Sequence, residues 1–412
     1  MQTLFINQAF YPDSSASSQY LYDLVESFLS DEQQARDSTF TVLTAAQGYL
    51  DKSQNYEKFE TIGNLRIIRV KCWKIPGVHK ISRIVNASLL NLAFAVRLLF
   101  LPRQDLVVAM TSPPLIAWIA VCFAKKPTRG FIYWILDMNP DQAIEAGWIK
   151  RDSIIAGLLY ACLAYVIKKS QLVIVLDKYM RERLVRRGHD ANKIKIFSLW
   201  SNCNELQTVE KNNNQFILQN NLKDKFIVMY SGNLSICHPI ETILLAAKNL
   251  EKYSDIVFVF IGEGGRKAEL EYAIRNNSLS NVLCLSYQRR SQLGRSLGAA
   301  DLHLISMGER FSGVVHPCKI YGIAAIASPY IFIGPQESFI NDQIIENQCG
   351  FQVNHGDIQK FAQIVLDVRS WSEDRRAENS ARLKRQALKS DKEKITKEFL
   401  GCVSKVISKH ST

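Results

Sequence analysis

Phe226-Ile227-Val228-Met229-Tyr230-Ser231-Gly232-Asn233-Leu234 reads as a buried strand running into a glycine turn, and the chain leaves it through His238-Pro239 into a helix-length segment. A short apolar run bounded by turn residues fits a strand covered on both faces. The pattern repeats downstream, with strands at Ile256–Ile261, Val282–Leu285, Leu302–Ile305 and Tyr330–Ile333. Helices alternate with them at Pro239–Leu250, Arg266–Asn276, Ser291–Ala299, His316–Ala325 and Phe339–Glu346. Upstream, strands are expected at Thr3–Asn7, Phe40–Thr44, Arg66–Val70, Leu106–Met110, Gly130–Leu136 and Leu172–Leu176. Helices there fall at Ser18–Leu29, Ile81–Phe100 and Ile154–Lys169. Such alternation builds parallel sheets from βα units. The fold class is therefore α/β, as two doubly wound sheets facing each other, with ligands outside the carboxyl ends of the strands. A polar, asparagine-rich stretch from Asn202 to Asn221 separates the halves. The expected domains are 1–203 and 204–385, followed by a charged helical tail at 386–412.

A chain of 412 residues, 47% hydrophobic and 22% charged, is long enough for two cores. Nine cysteines stand singly with no CxxC pair, which points to a reducing compartment and no structural zinc. Met1 to Asn7 enters a strand pattern directly, without the basic and long apolar regions of a signal peptide, so a cytoplasmic location is expected. The apolar stretch Leu106 to Ala124 is broken by Thr111-Ser112-Pro113-Pro114, and Ile154 to Ile167 is too short to span a bilayer. No transmembrane helix is expected. Net charge is +12, and from Thr61 to Leu136 there are eleven Lys or Arg against one acid, Asp105. No helix-turn-helix, zinc-finger or RNP-like pattern accompanies that charge, which argues against nucleic acid and for an anionic membrane surface as partner.

Five segments carry candidate chemistry. Ser231, Gly232 and Asn233 can bring backbone amides close to a diphosphate, or form a plain βα turn. Gly262-Glu263-Gly264-Gly265 is a second glycine turn between strand and helix, with the same two readings and without the GxGxxG spacing of a dinucleotide site. Gly313-Val314-Val315-His316-Pro317-Cys318-Lys319 leads into a helix whose first turns hold His316 and Lys319, a setting for a leaving diphosphate or for a partnered histidine and a solvated lysine. Asp137, after the strand Gly130–Leu136, is an acceptor-orienting carboxylate or base, or else a turn aspartate. The long polar loop Gln8 to Ser17 opens the first helix, and either faces the same cleft or only caps that helix.

These segments, in this order, resemble the bacterial members of glycosyltransferase family 4, in particular cell-surface polysaccharide transferases. The likeness rests on Phe5 to Asp13, Val107 to Pro114, Tyr133 to Pro140, Tyr230 to Ser235, Leu285-Ser286-Tyr287-Gln288 and Gly313 to Gly322. It implies a GT-B fold of two facing Rossmann-like domains with a central cleft. It implies transfer of a hexosyl group from a nucleotide sugar, usually UDP-linked, with retention of configuration and without a metal or other cofactor. Carried over by residue, donor contacts fall on Ser231, Gly232, Asn233, His238, Gly262, Glu263, Tyr287, Gly313, Val314 and Val315. Lys319 and Asp137 are the catalytic candidates, and Ser14, Ser15 and Asn139 lie on the acceptor side. The sequence departs from the family pattern where a glutamate pair is usual, having Val314 and Gly322, and where an Arg and a Lys usually clamp the diphosphate, having Asn233 and His238. Ser14-Ser15 replaces a glycine pair, and Cys318 replaces a serine.

The expected function is sugar transfer to a hydroxyl acceptor such as a glycan or lipid-linked saccharide. A catalytically weak GT-B protein that binds a nucleotide sugar or a partner is the alternative the departures favour. A GT-B epimerase would need more acid/base groups than Asp137. Ile81, Ile84, Val85, Ser88, Leu89, Leu92, Val96 and Leu99 recur at helical spacing beside Lys71, Trp73, Lys74, Lys80 and Arg83. This segment either docks on anionic lipid, peripherally on the inner face of the plasma membrane, or packs its apolar stripe on its own sheet.

Overall fold

The computed structural model describes residues 1–13, 15–31, 38–49, 53–72, 80–201, 206 and 209–408. Ser14, Trp73 and Lys74 lie outside them, as do the side chains of Lys80, Ile81 and Arg83. The chain forms two compact units, one of Met1–Ser198 with Glu393–Thr412 and one of Leu199–Lys392.

In the first unit the elements run β1 (Gln2–Ile6), α1 (Ala16–Ser30), β2 (Thr39–Ala45), β3 (Phe59–Ile62), β4 (Leu65–Val70), α2 (Lys80–Phe100) and β5 (Leu106–Ala109). They continue as α3 (Ile116–Phe123), β6 (Gly130–Trp134), α4 (Asp141–Glu145), α5 (Ile154–Lys169), β7 (Leu172–Val175), α6 (Lys178–Arg186) and β8 (Ile194–Ile196). The strands order as β3-β4-β2-β1-β5-β6-β7-β8, parallel except for the β3–β4 hairpin. Leu4, Phe5 and Ile6 of β1 and Val107, Val108 and Ala109 of β5 are buried, because central parallel strands are covered on both faces. Phe28 of α1 packs between Phe5 and Phe40, with ring centroids 5.5 and 5.7 Å away.

The second unit holds α7 (Gln215–Gln219), β9 (Phe226–Ser231), α8 (Glu241–Asn249), β10 (Ile256–Ile261), α9 (Lys267–Asn276), β11 (Val282–Leu285), α10 (Leu293–Gly298) and β12 (Leu302–Ser306). It continues with α11 (Lys319–Ala325), β13 (Tyr330–Ile333), α12 (Phe339–Asn347), β14 (Phe351–Val353), α13 (Ile358–Arg369) and α14 (Glu373–Lys389). Its parallel sheet orders as β11-β10-β9-β12-β13-β14, so strand order reverses between β9 and β12. A crevice at the carboxyl ends of those two strands is the natural ligand position.

The polar stretch read as a linker contains α7, started by Asn214, whose Oδ1 accepts from the amide of Phe216 and whose Nδ2 donates to Arg295. Phe216 and Ile217 bury themselves there, a burial that two apolar residues among amides do not announce. The units meet at 198/199 where the sequence reading drew 203/204. Ser201 belongs with the second unit, its amide bonding Ser390 and its hydroxyl Ala387.

The final helix α15 (Lys392–Ser408) falls in the first unit. Phe399, 1% exposed, sits 5.4 Å from Trp134 and 5.6 Å from Phe197, ring to ring. Phe399→Ala should therefore destabilise the first unit by about 3 to 5 kcal/mol, measured by denaturant unfolding. A loss near zero would mean that α15 is not part of that core.

Candidate functional site

In the second unit the two glycine turns interlock at the strand ends. The amide of Gly232 donates to Ile261, that of Leu234 to Glu263, and that of Arg266 back to Leu234, at 2.8, 2.8 and 3.1 Å. Gly232 and Gly262 have φ of 140° and 156°. A Cβ on Gly262 would run into the Gly232 carbonyl oxygen. Both positions thus require glycine for backbone shape and for close approach.

Lys319, the first residue of α11, lies against Gly232, so that a Cβ there would meet the lysine side chain. Its Nζ donates to Tyr230 Oη at 2.5 Å and stands 3.8 Å from the centroid of the Tyr230 ring. Tyr230 Oη in turn donates to the Asn233 carbonyl at 2.8 Å. Burial lowers the Lys319 pKa to about 7, and burial likewise raises that of Tyr230. Loss of solvation, only partly offset by the ring and hydroxyl, leaves this ammonium under-compensated and ready for an anion.

The glycine-led segment differs from its expected form. The helix begins at Lys319, so His316 precedes it rather than standing in its first turns. His316 is buried, its ring tilted against that of Phe339 at 4.5 Å, with Nε2 2.8 Å from Tyr321 Oη. Gly313 adopts φ 65° within a tight turn, and the amides of Val314 and Val315 both donate to Phe311, at 3.0 and 3.1 Å. Those two amides are thereby committed inside the protein, because the 3-10 turn at residues 309–311 needs a partner for its terminal carbonyl.

His238 has Nδ1 2.7 Å from the Ser306 carbonyl, which makes Nδ1 the protonated nitrogen. Burial first, then the Lys319 charge, hold its pKa at about 3. It is neutral at neutral pH and offers Nε2 as an acceptor rather than a second cation. Glu263 is paired with Lys267 of α9 at 2.6 Å. Tyr287 is half-buried and interacts electrostatically with Tyr230. Ser231, Gly232, Asn233, Gly262, Glu263, Tyr287 and His238 therefore share one neighbourhood with Lys319, which the strand order brings together from four separate loops.

In the first unit Asp13 Oδ1 accepts from the amide of Ser15 and Oδ2 from that of Tyr49, at 2.8 and 2.5 Å. Ser15 is buried at the head of α1. Asp137 is half-buried in the bend after β6, and Asn139 donates its amide to the Asp137 carbonyl at 3.1 Å. The Tyr49 phenol, on a residue 46% exposed, is raised above its ordinary value by surrounding protein first, and then by Asp137 and Asp13. Tyr49 joins the loop after β1 to the bend after β6, and the sequence reading did not pick it out. A lone tyrosine after β2 gives no pattern, and only the parallel order of β2, β1, β5 and β6 brings it to Asp137. Behind Asp137, Asp141 at 1% exposure binds Arg183 and Arg187 at 2.9 and 2.6 Å and anchors the start of α4.

Among the described residues no group of three His, Cys, Asp or Glu is placed to hold a metal ion. No helix among them is long and apolar enough to cross a membrane.

Comparison with known proteins gives this arrangement a setting, since residues 211–390 match the family model described as glycosyl transferases group 1. The matched segment spans nearly all of the second domain. The domain's interlocked turns and Lys319 all lie inside the matched segment. The chain is 24% identical over 307 residues to the probable glycosyltransferase WbjE of Pseudomonas aeruginosa, covering 72% of this chain and 75% of that one. It is 28% identical over 159 residues to the putative colanic acid biosynthesis glycosyl transferase WcaI of Escherichia coli, covering 37% and 38%. Among solved structures, Anabaena HepE in complex with UDP and glucose superposes with a TM-score of 0.70 at 14% identity, covering 98% of this chain and 99% of that one. Sucrose-phosphate synthase of Thermosynechococcus elongatus gives 0.73 at 15%, with 99% of each covered. The fold is GT-B.

Gly262→Ala forces a side chain against backbone at positive φ, so the second domain should lose about 2 kcal/mol or more in thermal or denaturant unfolding. Gly265→Ala, one turn on and with open space at its Cβ, should cost about 1 kcal/mol or less. Equal effects would remove the argument for interlocked turns.

Proposed function

We propose that this protein transfers a hexosyl group from a nucleotide sugar, UDP-linked, to a hydroxyl of a glycan or lipid-linked saccharide, with retention of configuration and without a metal. Membership of glycosyltransferase family 4 and a role in polysaccharide biosynthesis belong to the same reading. The observation that carries it is the half-buried Lys319 held against the Ser231–Asn233 turn, inside the segment that matches the group 1 model. The known complex of HepE with UDP and glucose, on the same fold, supports UDP as donor nucleotide.

In this reading Lys319 faces the diphosphate, and the Gly232 and Gly262 turns let backbone approach it. As the glycosidic bond to the diphosphate breaks, negative charge grows on the leaving oxygen. A preorganised cation in a poorly solvated position stabilises that charge without reorganisation. The acceptor hydroxyl attacks on the face that the leaving group vacates, and Asp137 orients it with help from the Tyr49 and Asp13 cluster and from Ser15 and Asn139. An anionic membrane surface presents the lipid-linked acceptor, with the chain peripheral on the cytoplasmic side.

A second reading, a nucleotide-sugar-binding protein with little turnover, is favoured by one set of observations. His238 is neutral, the Val314 and Val315 amides are occupied, and Val314 and Gly322 stand where the family has glutamates. Incubation with UDP-hexoses and saccharide acceptors separates the two. Transfer or donor hydrolysis supports the enzyme, and binding without either supports the binder.

Lys319→Ala should lower turnover at saturating donor by about a hundredfold or more, as expected for a residue stabilising a developing charge. Unchanged turnover would overturn its role. Because free Lys319 has a pKa of about 7, an anionic ligand must draw a proton onto it at higher pH. UDP affinity should fall as pH rises above about 7, by up to about tenfold per unit for one linked proton. Calorimetric titration of Lys319→Met should lack that slope.

A further inference from the structure

Three helices of the first unit cover one face of its sheet, α2 beside α3 and α3 beside α5. None of the three carries an acidic residue. Helices on the surface of a water-soluble domain turn polar residues outward. These do the opposite.

On α5 the outward positions are Ile154, Ile155, Leu158, Ala161 and Tyr165, at helical spacing, and no charge appears before Lys168. Ile154 is 92% exposed and Leu158 64%. The inward positions Leu163, Val166 and Ile167 are buried, so the helix already has a core face and displays a second apolar face. Trp148, just before α5, is 58% exposed. On α2 the stripe Ile84, Leu92, Val96 and Leu99 also faces outward and ends in Phe100 at 76% exposure, while Leu90, Phe94 and Leu98 fill the core. Part of the apolar stripe read from the sequence therefore faces outward, while its Val85 and Leu89 are half-buried. Leu92, Val96 and Phe100 also line a groove of about 500 Å³ against Phe59 of β3.

The rim of this face is basic. Exposed Lys125 and Lys126 follow α3, Lys168 and Lys169 end α5, and Arg103 follows α2. The acids beside α5 are balanced by arginines, Glu145 pairing with Arg151 at 2.6 Å and Asp141 with Arg187 at 2.6 Å. An apolar surface with a basic rim matches the boundary between the headgroups and acyl chains of an anionic leaflet. A second copy of the chain fits less well, because two such faces would bring their lysine rims together. Sixteen residues of α5 are too short to cross a bilayer, so the face lies in the plane of the leaflet.

We propose that the outer face of α2, α3 and α5, with α5 inserted most deeply, docks the first domain on an anionic lipid leaflet. This deepens the membrane part of the preceding reading by naming α5, and it is independent of sugar transfer.

The test is flotation of the full chain, without nucleotide sugar, with vesicles of phosphatidylcholine alone or with anionic phosphatidylglycerol. Binding should require the anionic lipid and weaken with salt. Ile154→Glu/Leu158→Glu, both side chains being largely in solvent, should unfold at the temperature of the parent and lose about tenfold or more in vesicle affinity. Lys168→Gln/Lys169→Gln should raise the lipid charge needed for binding. Equal flotation of the Glu variant and the parent would remove α5 from the docking face and leave a membrane role standing elsewhere. Absence of flotation by the parent, or a dimer in light scattering that the Glu variant abolishes, would overturn the proposal. Sugar transfer to a soluble acceptor, measured on the same variants, should stay at the parent's rate, so that failure of docking and failure of the transferase reading are told apart.

Discussion

The hydrogen bonds that tie the turn after β9 to the turn after β10 are the constraint on which the second domain's candidate site depends. Each turn supplies the other with carbonyl partners for amides that a strand end would otherwise leave unpaired. The approach is close enough to exclude a side chain at Gly262. This backbone pairing fixes the floor against which Lys319 lies, and it leaves Asn233 exposed above it.

On that floor the Lys319 ammonium lies beside the neutral His238 imidazole. Histidine and lysine side by side would repel if both were charged, and burial disfavours charge on each. Burial and the Lys319 charge keep His238 neutral, the Ser306 carbonyl fixes which nitrogen carries its proton, and the Tyr230 ring and hydroxyl lie beside Lys319. A lysine at about 7 is near balance between its two forms at neutral pH, so the arrival of an anion decides its charge. The first domain uses carboxylates instead. Asp13 is spent on two backbone amides, which stiffens the loop after β1, whereas Asp137 stands half-buried near Tyr49.

The two domains also differ in how they meet solvent. Helix α14 of the second domain follows the ordinary rule, with Leu383 and Ala387 inward and charged residues such as Arg382 and Lys389 outward. Helices α2 and α5 of the first break it over several turns each. A soluble domain rarely retains so large a contiguous apolar surface unless something covers it.

Strand identity was legible in the sequence because buried parallel strands are uniformly apolar, as in Phe226–Tyr230 and Leu106–Ala109, and because glycine turns punctuate them. The grouping of Ser231 to Asn233 with Gly262 and Lys319 was legible through motif order. Short edge strands such as β3, β8 and β14 were not, since three or four residues with a charge or amide carry too weak a pattern. The sequence by itself determined two βα sheets, their approximate boundary and the glycine turns at their strand ends, because local periodicity and turn residues encode these directly. Only the tertiary structure decided that His238 is neutral, that the Val314 and Val315 amides are already taken, that Tyr49 meets Asp137, and that the apolar faces of α2 and α5 point outward. Each of these depends on which groups from distant parts of the chain share one neighbourhood, and burial, hydrogen-bond partnership and charge balance exist only once that neighbourhood has formed.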